Sequence, residues 1–241
     1  MTLAEWLARH PYLQPVADLH ARVDAAIATI AIPAAAIPDW TACVEDFHAG
    51  SPLLQSSQAS IDLAPVDTAL HALLDALSAT PLAERSQDAG WQRFLRSRIL
   101  TRYVGELVRA FEAWRDEDRW LRNMCPMCGS GPAMAQLVGT DPGRLRVLSC
   151  GCCRTRWRYR RTGCPFCENR DDHRLTALDV EGEGGLRLDY CEACRGYLKT
   201  YNGTGSEGVL LADWTSLHLD VLARDRGLER RAASLYDLPT T

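Results

Sequence analysis

No stretch of this 241-residue sequence approaches the roughly 18 to 20 consecutive apolar residues that cross a bilayer, so no membrane-spanning helix is expected. The start of the chain lacks the apolar run of a secretory signal as well, because Glu5, Arg9 and His10 interrupt Met1 to Pro11. An excess of positive charge is also missing. The formal net charge of -4 gives the chain as a whole no attraction for nucleic acid or for an anionic membrane surface. Cysteine is scarce outside one segment: nine of the ten fall between Cys125 and Cys194, and only Cys43 lies elsewhere. In a chain read as soluble and cytoplasmic, where thiol pools keep cysteines reduced, that clustering favours metal ligation over disulfides. With 46% hydrophobic and 24% charged residues the chain can bury a core, and its length suits one large domain or two smaller ones.

Residues 1 to about 122 have apolar positions repeating at three and four, which predicts helices. Val16, Leu19, Val23, Ile27 and Ile30 form one stripe, ended by the Pro33 to Pro38 region. Asp39 is placed to cap a short helix with Trp40, Cys43, Val44 and Phe47 on one face. Leu63, Val66, Leu70, Leu73 and Leu77 form a third stripe before Pro81. A long helix is expected from about Asp88 to Trp120, with Trp91, Leu95, Ile99, Tyr103, Leu107, Phe111 and Trp114 on one side. Leu100, Val104 and Val108 widen its apolar face to that of a helix in a bundle. Nothing in this half assembles a catalytic set. His10, His20, His48 and His71 are scattered and read as ordinary surface or core residues, and Cys43 reads as a small buried hydrophobe.

After Trp120 the helical period vanishes and Gly, Pro, Cys and Arg become frequent, so a boundary falls near Arg122 to Met124. Four Cys-x-x-Cys units follow: Cys125–Cys128, Cys150–Cys153, Cys164–Cys167 and Cys191–Cys194. They form an internal repeat, since Cys125-Pro-Met-Cys128 and then Leu145-Arg-Val-Leu-Ser-Cys150 correspond to Cys164-Pro-Phe-Cys167 and then Leu186-Arg-Leu-Asp-Tyr-Cys191. A two-residue spacer lets both sulfurs of a tight turn point at one ion while turn N–H groups face the sulfurs. Alternating stretches such as Leu145-Arg-Val-Leu and Thr155-Arg-Trp-Arg-Tyr-Arg read as short strands, which gives knuckle, hairpin, knuckle twice.

Residues 123–201 hold few bulky apolar side chains, and a segment below about 80 residues rarely stabilises itself without a staple. Tetrahedral ligation supplies on the order of 10 kcal/mol per site. Four thiolates accept zinc or a single iron, so the donor set leaves the ion open. The segment carries 12 Lys and Arg against 9 Asp and Glu, and two tetrathiolate sites at a formal -2 each would more than offset that surplus. Some of the arginines are therefore expected to balance sulfur charge. Arg154 to Arg161 interleaves five arginines with Trp157 and Tyr159, a pattern that could bind phosphate or stack on bases. Its simpler reading is a strand with Arg154, Arg156, Arg158 and Arg160 on one face and Thr155, Trp157 and Tyr159 on the other. Cys152 has no counterpart in the repeat and is expected not to ligate, although a slipped register could use it. His173 is expected to be peripheral. Past Tyr201, Asn202 to Gly208 reads as a loop and Val209 to Leu211 as a short strand. Asp213 is placed to cap a closing helix with Trp214, Leu217, Val221 and Leu222 inward, near which His218 reads as structural.

At these residues the chain resembles the formate dehydrogenase accessory protein family, FdhE. The resemblance rests on Cys125-Pro-Met-Cys128-Gly129, on Leu148-Ser-Cys150 through Cys153, Thr155, Trp157 and Cys164 to Cys167, and on Cys191 to Cys194 followed by Gly196-Tyr-Leu-Lys199. More weakly it extends to the helical half and to Leu211-Ala-Asp213. The resemblance implies an α+β protein with an all-helical domain at 1–122, two tandem rubredoxin-like (zinc-ribbon-type) four-cysteine metal modules at 123–162 and 163–206, and a C-terminal strand and helix at 207–241. It implies one metal ion held by Cys125, Cys128, Cys150 and Cys153 and another held by Cys164, Cys167, Cys191 and Cys194, with iron favoured and zinc as the alternative. The function implied is that of a cytoplasmic, non-enzymatic maturation factor. Such a factor binds the catalytic subunit of a respiratory formate dehydrogenase and uses no nucleic acid, membrane or small-molecule substrate. Two other readings stand beside it: a rubredoxin-like one-electron carrier and a zinc-ribbon nucleic-acid binder.

Overall fold

A computed structural model describes residues 2–55, 61–78, 80, 88–115, 119–140, 143–183, 185–202, 208 and 211–232. Helix α1 (Leu3–Arg9) starts at a capping box, in which the Thr2 hydroxyl accepts the Glu5 N–H and the Glu5 carboxylate accepts the Thr2 N–H. Helix α2 (Gln14–Ala28) buries Ala17, His20, Val23 and Ile27. Asp39 caps α3 (Trp40–Ala49) by accepting the Thr41 N–H, and Cys43 and Phe47 point into the core as the apolar period requires. Helix α4 (Ala64–Leu77) buries Val66, Ala69, Leu73 and Leu77; Pro81, its expected stop, lies outside the described residues.

The single helix expected from Asp88 to Trp120 is instead two. Asp88 caps α5 (Ala89–Tyr103) through the Trp91 N–H, Val104 leaves helical geometry at φ -89°, ψ 1°, and α6 (Gly105–Trp114) follows. Gly105 sits at the break, where its poor helix propensity costs least. Arg115 then turns extended, so Trp120 is not helical; it buries its ring and donates its indole N–H to the Met124 carbonyl.

The cysteine-rich half is one seven-stranded sheet. β1 (Pro132–Val138), β2 (Leu145–Cys150) and β3 (Arg156–Tyr159) form one antiparallel meander, and β4 (Leu175–Asp179), β5 (Leu186–Cys191) and β6 (Gly196–Tyr201) form the other. Parallel pairing of β1 with β6, Met134 opposite Lys199 through Gln136 opposite Tyr201, joins the two into the order β3-β2-β1-β6-β5-β4. Short β7 (Glu229–Arg230) runs parallel to the start of β6.

Val209 and Leu210 of the expected strand lie outside the described residues, and Leu211 is in a turn; of the expected 202–208 loop only Asn202 and Gly208 are described. Asp213 does not cap the closing helix. It opens a 3-10 turn at Asp213–Ser216, and α7 (Leu217–Asp225) begins only afterwards. That later start rotates the inward face to Leu219, Asp220 and Ala223, leaving Val221 exposed.

Two cores result. The larger runs from Val23, Phe47, Leu73, Ile99 and Phe111 into Met127, Leu148 and Trp157, so the helices and the first meander share one apolar interior. The smaller joins Trp6 and Leu13 to Leu188, Tyr197, Leu219 and Ala223, which seats α1 and α7 against the second meander.

Candidate metal centres

Each Cys-x-x-Cys unit forms a knuckle built in the same way. In the first, the Cys125 N–H donates to the Ser130 carbonyl and the Gly129 N–H returns to the Cys125 carbonyl; in the third, the Cys164 N–H donates to Asn169 and the Glu168 N–H to Cys164. The residue after each second cysteine is left-handed: Gly129 at φ +77°, Arg154 at +68°, Glu168 at +58° and Arg195 at +58°. A chain that must double back so that two sulfurs face one point needs that conformation, and only Gly129 adopts it without a Cβ penalty.

The knuckles meet in pairs. Cys125 Sγ lies 3.6 Å from Cys153 Sγ and Cys128 Sγ 3.5 Å from Cys150 Sγ, while Cys164 to Cys194 is 3.6 Å and Cys167 to Cys191 is 3.8 Å. All four sulfurs of each set lie within 4.8 Å of one another. A disulfide would bring sulfurs to about 2 Å. The edge of a tetrahedron with metal–sulfur bonds of about 2.3 Å is about 3.8 Å. The spacing therefore suits four thiolates around a metal ion, and the two clusters could hold two ions. Burial pushes the Cys125 thiol up, and Cys128 and Cys150 add to the effect against the lowering hydrogen bond of Cys153, while Cys128 is pushed down by the thiols that donate to it. Four thiolates packed this closely need a cation, which a divalent ion supplies.

Backbone N–H groups face the sulfurs as the spacing predicts. Phe166 N donates to Cys164 Sγ at 3.4 Å, Gly196 N to Cys194 Sγ at 3.4 Å and Cys152 N to Cys150 Sγ at 3.3 Å. Cys152 thus contributes its backbone, and its sulfur is outside the four-sulfur set. Two polar side chains lie against sulfurs in a way the spacing does not announce. The Thr155 hydroxyl lies 3.1 Å from Cys153 Sγ, and the Asn169 amide is 3.9 Å from Cys191 Sγ. The repeat offset that aligns Ser130 with Asn169 was the signal for the second.

The two sets differ in depth. Cys125, Cys150 and Cys153 are buried under the helices, whereas Cys167 is exposed. Met127 is fully buried, and the Leu53 and Leu54 N–H groups donate to the Pro126 and Met127 carbonyls at 2.9 and 2.8 Å. Beside the second set opens a cleft of about 260 Å³ lined by Cys164, Phe166, Arg187 and Leu198. Arg146 lies at its wall, donating to the Gly163 carbonyl at 2.9 Å and the Asp189 carboxylate at 3.3 Å.

Several sequence readings fall outside both centres. His173 is exposed in a 3-10 turn. Trp157 and Tyr159 are 1% and 6% exposed and packed in the core, so neither can stack on a base. Arg156 instead meets the helices: its N–H donates to Glu112 at 3.1 Å and its carbonyl accepts from Arg115. His20 is buried between Phe94 and Trp214, stacked on the indole at 4.9 Å.

No protein-family model matches the chain. Over 116 residues it is 31% identical to a protein of Aquifex aeolicus strain VF5 named Protein FdhE homolog, covering 46% of this chain and 41% of that one. Over 125 residues it is 38% identical to a Protein FdhE homolog of Pseudomonas putida KT2440, covering 48% and 38%. The chain therefore spans about two fifths of the length of these curated relatives. The crystal structure of the FdhE protein from Pseudomonas aeruginosa shares its fold, with a TM-score of 0.62 over 93% of this chain and 88% of that one at 23% identity. This chain is thus similar in sequence to FdhE homologues over about half its length, and similar in fold to the FdhE crystal structure over nearly all of it.

Proposed function

We propose that the chain is a cytoplasmic, non-enzymatic accessory factor that binds the catalytic subunit of a respiratory formate dehydrogenase during its maturation. The observation that carries the reading is the pair of four-sulfur sets with tetrahedral spacing, in a chain similar to the FdhE proteins. In this reading 123–162 and 163–206 are two rubredoxin-like modules between a helical domain at 1–122 and a closing segment at 207–241. Cys125, Cys128, Cys150 and Cys153 hold one ion, and Cys164, Cys167, Cys191 and Cys194 hold the other. Iron is favoured over zinc by the family resemblance; the donor set accepts both. When bound, each ion supplies cross-linking of two knuckles. The chain's own residues do the rest: the first module is anchored by Met127 and the Leu53 and Leu54 N–H groups, which leaves the second, with Cys167 at the surface, to face a partner.

Affinity purification of the full chain from its own cell extract is expected to recover the dehydrogenase catalytic subunit, and a Cys164→Ser/Cys167→Ser variant to lose it. Formate oxidation left unchanged by deletion of the gene would overturn the proposal. The one-electron reading is favoured by a single feature, the exposed Cys167 in a set that accepts backbone N–H bonds. Visible absorption that bleaches reversibly with reductant would support it, and a colourless metal-loaded protein would exclude it.

A further inference from the structure

Away from the sulfurs, three segments remote in sequence bring two imidazoles onto one carboxylate. His10 ends α1, Glu183 lies in the turn between β4 and β5, and His218 is on α7. His218 Nε2 is 2.7 Å from Glu183 Oε2, and His10 Nε2 is 3.2 Å from the same oxygen and 3.3 Å from Oε1. The donor atoms all lie within 4.8 Å of one another. Their side chains are 7%, 13% and 20% exposed for His10, Glu183 and His218, so the three are mostly screened from solvent.

The decisive detail is the other nitrogen of His10. Nδ1 lies 3.0 Å from the Trp6 carbonyl, which can only accept, so Nδ1 carries a proton and orients the ring. With Nδ1–H so engaged, Nε2 faces the carboxylate at 3.2 Å, and what lies between them is positive: either a proton, which makes the ring an imidazolium, or a metal ion bound by the neutral ring. A ring held by an Nδ1–H to a backbone carbonyl, with Nε2 aimed at a shared point, is the arrangement that supports histidine ligands in metal sites. Trp6, stacked on His10 at 3.9 Å, fixes the ring further.

We propose that His10, Glu183 and His218 form a third metal site, separate from the eight cysteines, for a zinc-class divalent ion. Two imidazole nitrogens and one carboxylate oxygen suit zinc and its transition-metal neighbours, and are too few oxygens for calcium or magnesium. Metal–ligand bonds of about 2.0 to 2.2 Å put tetrahedral donors roughly 3.3 to 3.6 Å apart, so the 2.7 Å contact opens by less than about 1 Å. Three protein ligands leave a fourth position for water or for a group from another molecule. On binding, His218 gives up its Nε2 proton and carries one on Nδ1, which has no hydrogen-bond partner among the described residues. His218 is thus the weaker imidazole ligand. The ion would add a clamp between α1, α7 and the second meander beside the small core and the polar ties that already join them.

The test is zinc content of the full chain, loaded with excess zinc and desalted, read as wild type minus variant so that filling of the cysteine sets cancels. Glu183→Gln preserves the shape and a hydrogen-bond acceptor but is a poor ligand, and His10→Gln serves as the second variant should the first misfold. Each is expected to bind one equivalent less than wild type. The third equivalent should weaken at least a hundredfold, because loss of a mere supporting partner already costs about 10–100-fold. Cobalt substitution should show a weak ligand-field difference spectrum without sulfur-to-cobalt charge transfer. Equal zinc content in wild type and both variants, all folded by circular dichroism, would overturn the site and leave a hydrogen-bonded latch.

Discussion

Lys199 is the only lysine in the sequence, and it is 1% exposed on β6. Its ammonium lies 2.6 Å from Asp213 Oδ1 and 2.8 Å from Asp220 Oδ2, and donates to the Asp213 carbonyl at 2.9 Å. Arg230 pairs with the same two carboxylates, 2.6 Å from Asp213, and the Tyr197 hydroxyl donates to Asp220 at 2.7 Å. Two cations thus balance two buried anions. Lys199→Met keeps the packing volume but leaves two carboxylates to one arginine, and removing one partner of a buried pair costs about 3–5 kcal/mol. Urea unfolding near neutral pH is expected to show that loss. Acid supplies an internal check. Burial pushes the Asp213 carboxyl up, but Lys199 and then Arg230 pull it down to about 2. A carboxyl lowered from 3.8 contributes about 2 kcal/mol that is present above about pH 4 and lost as pH falls through about 2. In Lys199→Met that carboxyl titrates higher, so protonation relieves the unpaired charge sooner and the deficit against wild type should narrow below about pH 4. The double variant Lys199→Met/Asp220→Asn restores charge balance and keeps an acceptor for Tyr197. It should recover roughly 1–2 kcal/mol by coupling. A loss under about 1 kcal/mol near pH 7, or a deficit that does not change with acid, would refute the reasoning.

Burial, followed by the nearby Arg98, lowers the His20 pKa from 6.5 to about 4. The unfolded chain therefore takes up the proton first, and stability on the order of 3 kcal/mol drains away between about pH 6.5 and 4; His20→Phe should flatten that limb of the pH–stability profile. Glu168→Gly, at φ +58°, should raise the melting stability of metal-loaded protein by about 1 kcal/mol. Gly129→Ala should lower it, since a Cβ is strained at φ +77° and would press on the Gln55 amide and sit 3.2 Å from Pro52. A chelator with a chromophoric readout should strip the set containing exposed Cys167 first, and the set buried beside Met127 later, with helical content falling only in the second phase.

Where one face of a helix meets one core, the sequence was legible: Asp39 and Cys43 to Phe47, and Val66 to Leu77, stand as their period implies. The interruption at Val104 was not, because Leu100, Val104 and Val108 continue an apolar stripe that carries no mark of where two helices must part. His20 occupies a core position of α2 that polarity disguised; the Trp214 ring that stacks on it comes from almost two hundred residues away. Of the sulfur sets, the repeat pairs the knuckles as their sulfurs meet, and it gives Cys152 no counterpart. The four left-handed corners were only one-quarter visible, since Gly129 alone announces its backbone. Parallel pairing of β1 with β6 leaves no local trace in either strand, so the union of the two meanders into one sheet could not be read.

That union sets how the two sulfur sets communicate with the rest of the chain. The first knuckle is wedged into the larger core by Met127 and is bonded through its Pro126 and Met127 carbonyls to Leu53 and Leu54, so any movement of its sulfurs is felt by α3 and the segment after it. In the second meander the neighbours are α1 and α7, held by Trp6, whose indole N–H donates to the Thr215 carbonyl at 3.0 Å, and by the Lys199 cluster. Those polar ties lie at the far side of β6 from the Cys164–Cys194 contact, and Cys167 itself touches solvent. A disturbance of the second set therefore has fewer buried groups to displace than one of the first. If a partner acts on a metal centre, opening the second is the cheaper event, and the surface it would grip is the one formed by Cys167, Phe166 and the cleft beside them.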